Sequence, residues 1–373
     1  MSVLPGSPEP LPGGGNFTLP LQPKGRASGV AAARDTRIDA VKGIGIALVV
    51  IGHAKGAPGL YTVLTSALTM PLFFFVSGWL SRDGARAQQG LLQRQRHLVK
   101  TLLLPYAFFF FCAYAYWLLT RHIGEKAVRW GSLPWWDPLK GLVTGLGPDL
   151  YVNVAIWFLP ALFTTTFFFN LGRRWLEPPA LVLVGIATTA IWTSIAPLPY
   201  RLPWGLDIVP VSLFFYAAGA AFRQWGVLRQ DRGFSAMLLA LAAPLWIWMS
   251  LRNGRVDFNL QGFGRHPVLL IGAGVCGIVV VMCLGELLKG LGSLGWLGRN
   301  TLVVLCTHIV VLMVTSGVAA VLKVSSLHHG MGWAVSVAFI ALLASWPIHW
   351  CLARWAPWAI AAKTLPRSST RPA

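Results

Sequence analysis

Two side chains that are costly to place in hydrocarbon, Lys42 and His53, stand eleven positions apart in the segment RIDAVKGIGIALVVIGH, Arg37 to His53. On a helix that spacing separates them by about 16 Å. An ionisable group at the centre of a bilayer costs roughly 2.5–3.5 kcal/mol on insertion scales, so each is expected to have a purpose. An unprotonated imidazole can take a proton from a hydroxyl, which is worth about 10²–10⁴-fold in rate. A lysine ammonium can hold an anion. Each also has a plain reading: His53 as a hydrogen-bonded interfacial histidine, and Lys42 as a snorkelling lysine. Arg37 and Asp39 could be a helix-start pair, since an acid in the first turn suits the macrodipole.

The elements that must position these groups are membrane spans. Of 373 residues, 55% are hydrophobic and only 12% are charged, with a mean hydropathy of +0.61. A soluble domain carries about 25% charged residues, so this chain has too few to cover a water-facing surface. Its 18 tryptophans suit the membrane–water interface. Ten stretches are long and apolar enough to span: about 39–57, 62–80, 100–120, 152–170, 180–196, 207–223, 234–251, 267–288, 300–322 and 333–353. Alternation of the barrel type is absent, so the expected fold is an all-α integral membrane bundle of about ten helices. Residues 1–33, rich in Pro and Gly, and 357–373 are expected to be cytoplasmic tails flanking a membrane domain at 34–356. The five cysteines lie in apolar runs without metal-type spacing and read as small packing residues. No metal site is expected.

The basic residues orient the bundle. Of the 31 Lys and Arg, 20 fall in the tails and loops on the N-terminal side and 10 on the other, with Lys42 inside the first span. The bias places both termini in the cytoplasm. An even number of spans agrees. The net charge of +19 is then explained by anchoring loops, and no aromatic-basic platform for nucleic acid is visible. In this orientation Lys42 lies at the cytoplasmic mouth and His53 near the far side. A cation at the inner mouth and a base deep in the membrane suit a donor with a phosphorylated head and a long arm, the shape of acyl-coenzyme A.

Several motifs now fall into order. RIDAVKGIGIALVVIGH resembles the opening signature of the membrane acyltransferase-3 superfamily, a basic residue, ten intervening residues and then histidine. MPLFFFVSGWL (Met70 to Leu80) resembles its second-span motif. NVAIWFLPALF (Asn153 to Phe163), LPWGLDIVPVSLFFYAAGA around Asp207 and Gly219, and LGRNTLVVLCTH ending at His308 are similar to the branch of fucose 4-O-acetylases and exopolysaccharide O-acetyltransferases. The likeness runs from about 35 to 355. It implies a multi-pass enzyme of the cell inner membrane that moves an acyl group, usually acetyl, from acyl-coenzyme A to a hydroxyl of an envelope or extracellular polysaccharide or its lipid-linked precursor. One departure is visible: many members carry two arginines three apart before the third helix, whereas RQRHLVKTLLLPY places Arg96 and Lys100 four apart.

The resemblance implies His53 as catalytic base, with Lys42, Asp39 and His308 in its support. Arg37, Arg96 and Lys100 become candidates for the donor phosphates, and Asn153, Trp157 and Asp207 for substrate contact. A lone mid-membrane histidine such as His308 could equally be a packing hydrogen bond between helices. Arg96 and Lys100 could be ordinary cytoplasmic anchors, although their clustering with Arg94 at the same mouth suits a coenzyme A phosphate site. The outer segment 121–151, with Trp130, Trp135, Trp136, Asp137 and Asp149, suits sugar rings, though tryptophans of the interfacial belt would look the same. The competing function is a transporter or flippase of lipid-linked sugars. Transporters usually carry internal repeats, and the Lys42–His53 element has no second copy.

Overall fold

The computed structural model describes residues 35–81, 90–225, 231–324 and 330–361. The tail expected at 1–33 lies outside the described residues, as does most of 357–373. The first residues of that second tail are packed: Pro357–Ile360 form a 3₁₀ turn, and Trp358 meets Phe108 edge-on. Among the described residues the chain is helical throughout, and the only strand-like pairing is the single bridge Asp257–Gly262.

The element carrying the opening motif, α1 (Thr36–His53), is followed by α2 (Gly59–Leu80). Gly56, at φ 93°, and Pro58 end the helical path between them, so α1 stops at His53 rather than at residue 57. The third span is a continuous helix built from α3 (Leu91–Leu98), a π-helical segment Val99–Leu103 and α4 (Leu104–Thr120). Pro105 explains the π segment. It has no N–H, and its ring would clash with the carbonyl four residues back, so the helix widens just before it. The outer segment is not simply a loop, because it folds into α5 (Glu125–Trp130) and α6 (Leu139–Thr144). A 3₁₀ turn, Val154–Trp157, leads into α7 (Phe158–Gly172), and α8 (Pro178–Ile195) follows. A second 3₁₀ segment, Pro203–Ile208, opens α9 (Val209–Trp225). The remaining helices are α10 (Arg232–Asn253), α11 (Pro267–Leu288), α12 (Gly292–Arg299), α13 (Thr301–Val321) and α14 (Met331–Trp355).

Nine of these helical stretches are long and apolar enough to cross a membrane among the described residues. With α1, which has a span's length but carries Arg37, Asp39 and Lys42, they correspond to the ten expected stretches. The bundle is an all-α membrane architecture. Its centre is α1, α2, α7 and α9, whereas α8 and α10 are mostly exposed on the bundle and face lipid.

Two close approaches hold the centre together. A Cβ at Gly78 would collide with the Tyr216 carbonyl oxygen, and one at Gly219 with that of Phe75, so α2 and α9 cross with their backbones touching. Likewise Gly43 abuts the Leu294 carbonyl and Gly298 that of Asp39, which seats the short α12 on the first half of α1. Small residues let helices approach closely enough for dispersion to replace the hydrophobic drive that lipid removes.

Candidate active site

His53 is the last residue of α1, and His308 lies in the second turn of α13. The fold brings them together across 255 positions of sequence: His308 Nε2 is 3.4 Å from His53 Nδ1, and the ring centroids are 5.1 Å apart. Each ring is also tied to its own helix. His53 Nδ1 lies 2.9 Å from the Val49 carbonyl oxygen, and His308 Nδ1 lies 2.9 Å from that of Val304. Carbonyl oxygens only accept, so both Nδ1 atoms carry the proton in the neutral rings. His308 Nε2 is then a lone pair facing the His53 Nδ1–H, which is shared between it and Val49. His53 Nε2 is left as an unprotonated nitrogen on a solvent-exposed side chain, while His308 is fully buried.

The consequence is a base with a prepared neighbour. When His53 Nε2 takes a proton, the ring becomes a cation and its Nδ1–H a stronger donor, and the His308 lone pair is already in line to receive it. A hydrogen bond to a charged partner contributes about 1.5–3 kcal/mol, roughly twice a neutral one. The C-terminal end of α1 adds partial negative charge around His53, which favours the same cation.

The other candidates are distributed around this pair. Asn153 is fully buried at the start of the 3₁₀ turn, and its Nδ2 donates to the Cys306 carbonyl at 2.7 Å, two residues before His308. It therefore fastens the turn carrying the buried Trp157 to the helix carrying His308. Its Oδ1 is buried without a hydrogen-bond partner. Lys42, half-buried, and the buried Arg37 and Asp39 lie toward the opposite end of α1. Arg37 reaches over the Trp79 ring at 5.8 Å, which sets the start of α1 level with the end of α2.

Asp207 does not join the pair. It is fully buried in a clamp: its Oδ2 accepts from Arg201 Nε and from Gln261 Nε2 at 2.6 Å, and Arg201 also bonds the Asn259 carbonyl. Gln261, at φ 55°, and Trp204, at φ 58°, adopt a left-handed backbone that L residues rarely take, and both lie within this clamp.

At the end of the bundle opposite His53, a cavity of about 610 Å³ opens between α2, the π-containing third span, α7 and α9. Its polar lining includes Arg94, His97, Asn170 and Arg173, and it runs inward to Leu162, Thr166 and Tyr216. From Arg173 to Leu162 along α7 is about 16 Å. Arg94, His97 and Thr101 reach the cavity because positions i, i+3 and i+7 share one face of the third span. Arg96 and Lys100 share a different face and are exposed outside it. The pair three apart in the cavity is thus Arg94 and His97.

Toward the His53 end, Lys55 and Glu125 form an exposed ion pair at 3.5 Å, so α5 lies beside the turn that follows His53. An aromatic series, Tyr114, Trp117, Tyr151 and Trp130, packs with successive centroids 5.8–6.1 Å apart, and Trp135 and Trp136 stand exposed. Among the described residues, no group of three or more His, Cys, Asp or Glu is placed to hold a metal ion.

The described residues thus form a many-span helical bundle with a paired imidazole toward one end and a basic cavity toward the other. The sequence matches the family described as Acyltransferase domain over residues 35–350, and the chain belongs to that family. It is a multi-pass membrane acyltransferase. No curated protein and no solved structure matches the chain. The family lends no support to the transport alternative.

Proposed function

We propose that the protein moves an acyl group, acetyl in the first instance, from acyl-coenzyme A to a hydroxyl of an envelope or extracellular polysaccharide or its lipid-linked precursor. The observation that carries this reading is the His53–His308 pair, with His53 Nε2 unprotonated and open. His53 Nε2 takes the proton of the acceptor hydroxyl as that oxygen attacks the thioester carbonyl. Collapse of the tetrahedral adduct breaks the carbon–sulfur bond, and the departing thiolate takes the proton back from His53 Nε2.

The cavity supports the donor side. Guanidinium groups bind phosphate through short, charge-assisted hydrogen bonds, and Arg94 and Arg173 line its polar mouth. The apolar floor at Leu162 lies about one and a half turns of α7 from Trp157, so an extended arm held at the mouth points toward the His pair. Arg37 and Lys42 belong to the same end of the bundle. The excess of Lys and Arg in the loops at that end supports a cytoplasmic placement for it and for both termini, in the cell inner membrane. The acceptor then approaches His53 from the outer face, where the aromatic series and the exposed Trp135 and Trp136 offer platforms for sugar rings.

The test is His53→Ala in cells lacking the chromosomal gene, with protein level checked in membranes and glycan acetate read by NMR. The expected result is normal insertion with acetate lost. Wild-type acetate overturns the assignment.

A further inference from the structure

We propose that Asn153 is a positioning residue for the His pair, its amide fixing α13 so that the His308 lone pair stays within reach of the His53 Nδ1–H. The inference rests on His53 acting as the base and His308 as its support. The contact to be preserved has little slack. His308 Nε2 and His53 Nδ1 are 3.4 Å apart, and by about 3.6 Å such a pair is no longer hydrogen-bonded. A slide or turn of α13 by a few tenths of an ångström is enough to lose it.

Packing alone does not hold α13 that closely. Its second half stands at the edge of the bundle, with Val314, Val318 and Val321 exposed and nothing within 4 Å of a Cβ at Gly317. Apolar contacts are non-directional and set no depth. Past Thr301, α13 makes two hydrogen bonds to the rest of the bundle among the described residues, and one of them is the His contact itself. The other comes from Asn153, whose Nδ2 donates to the Cys306 carbonyl at 2.7 Å, half a turn before His308. That oxygen keeps its own helix bond and offers Asn153 its second lone pair.

Asn153 is presented from a segment that is itself held. Its N–H donates to the Leu150 carbonyl at 2.9 Å, and Leu150, Val152, Ala155 and Ile156 around it are buried. Phe158, just beyond, meets Phe73 and Phe74 of α2 with ring centroids 6.0 and 5.1 Å apart. The same α2 holds α1, because the Tyr61 hydroxyl donates to the Leu48 carbonyl at 2.7 Å, little more than one turn before His53. Both histidines are thus referred to one frame, His53 through α1 and His308 through Asn153.

Stability does not call for an amide at this place. Asn153 is fully buried, and its Oδ1 has no hydrogen-bond partner among the described residues. With Nδ2 committed to Cys306, the amide cannot flip to relieve it. An unpaired buried acceptor costs free energy that an apolar side chain of similar size avoids. A side chain that works against local stability is expected where function needs it.

The experiment uses membrane vesicles containing the full chain and their own glycan, with radiolabelled acetyl-coenzyme A as the probe. Wild type, Asn153→Leu, His308→Leu and the double variant are compared for turnover at saturating donor, for the donor KM and for thermal unfolding. Asn153→Leu is expected to lower turnover about tenfold, and by no more than His308→Leu does, since its whole effect passes through the His contact. The donor KM should stay unchanged, and the unfolding temperature should stay level or rise. In the His308→Leu background, Asn153→Leu should change turnover by less than about twofold. A merely structural amide would instead lower the unfolding temperature and cost as much in either background. Wild-type turnover in Asn153→Leu, a raised donor KM, or a loss that persists without His308 overturns the proposal. Asn153→Ala covers the case in which leucine does not fit: the same loss and the same disappearance of that loss in the His308→Leu background are expected, and an undiminished loss there overturns the proposal. Absence of transfer by wild type would count against the acyltransferase reading itself. Transfer that needs His53 and His308 but ignores Asn153 would remove only this inference.

Discussion

Replacing His308 by leucine separates a base from its support. Leucine keeps approximate volume at a fully buried position and carries no acceptor, so the bundle should hold. His53 keeps its 2.9 Å bond to Val49 and therefore its tautomer, but the His308 lone pair 3.4 Å away is gone. The loss falls on the protonated ring. A hydrogen bond to a charged group contributes about 1.5–3 kcal/mol, and the long 3.4 Å separation places this one near the lower end. An expected 1.5–2 kcal/mol corresponds to roughly a ten- to thirtyfold fall in turnover. Removing the base itself by His53→Ala should cost about 10²–10⁴-fold. The double variant decides the logic. If His308 acts through His53, its replacement in the His53→Ala background should change the residual rate by less than about twofold, because coupled sites are not additive. Long incubations with radiolabelled acetyl-coenzyme A in membrane vesicles give the residual rates. A tenfold further loss in the double variant would show that His308 works independently, and a wild-type rate in His308→Leu would refute the support role altogether.

Two further outcomes follow from geometry away from the pair. Gly298→Ala sets a methyl against the Asp39 carbonyl oxygen, and backbone cannot rotate aside. Overpacking typically costs 1–3 kcal/mol, so a loss of about 3 kcal/mol or more is expected as a lowered unfolding temperature in detergent. Gly317→Ala, whose Cβ would meet nothing within 4 Å, should leave the protein unchanged or slightly more stable. At the cavity, Arg94→Gln and Arg173→Gln should each raise the KM for acetyl-coenzyme A by roughly tenfold through loss of a charge-assisted contact. Arg96→Gln should not, and equal effects from all three would argue against the cavity as the donor site.

Hydropathy and span length made the helical architecture legible, because lipid exposure writes itself into long apolar runs. The ends moved where local chemistry intervened, as at Gly56 and Pro58 after His53. The short α12 was not legible, since LGSLGWLGR is too short and too glycine-rich to stand out, yet those glycines are what seat it on α1. His53 and His308 could each be marked from their motifs. Their contact could not, because nothing local encodes an approach across 255 residues. Arg96 and Lys100 were chosen for sharing a helical face and clustering with Arg94, but sequence spacing does not tell which face turns inward; of this stretch, Arg94 and His97 line the cavity. Asp207 stood in a motif, and no motif tells that its carboxylate accepts from Arg201 and Gln261 across the fold.

The two walls of the basic cavity differ in kind. On one side α2 and α9 touch backbone to backbone at Gly78 and Gly219, a joint with no side chains left to re-pack. On the other, the third span passes through five residues of π-helix just before Pro105, where the turns are wide and the hydrogen bonds of an ordinary helix are not in register. One jaw is stiff and the other is sprung. Whatever enters between Arg94 and Arg173 is thus accommodated by the outer jaw, and the helix that carries Arg94 and His97 yields while the helices leading inward to the His53 end keep their places.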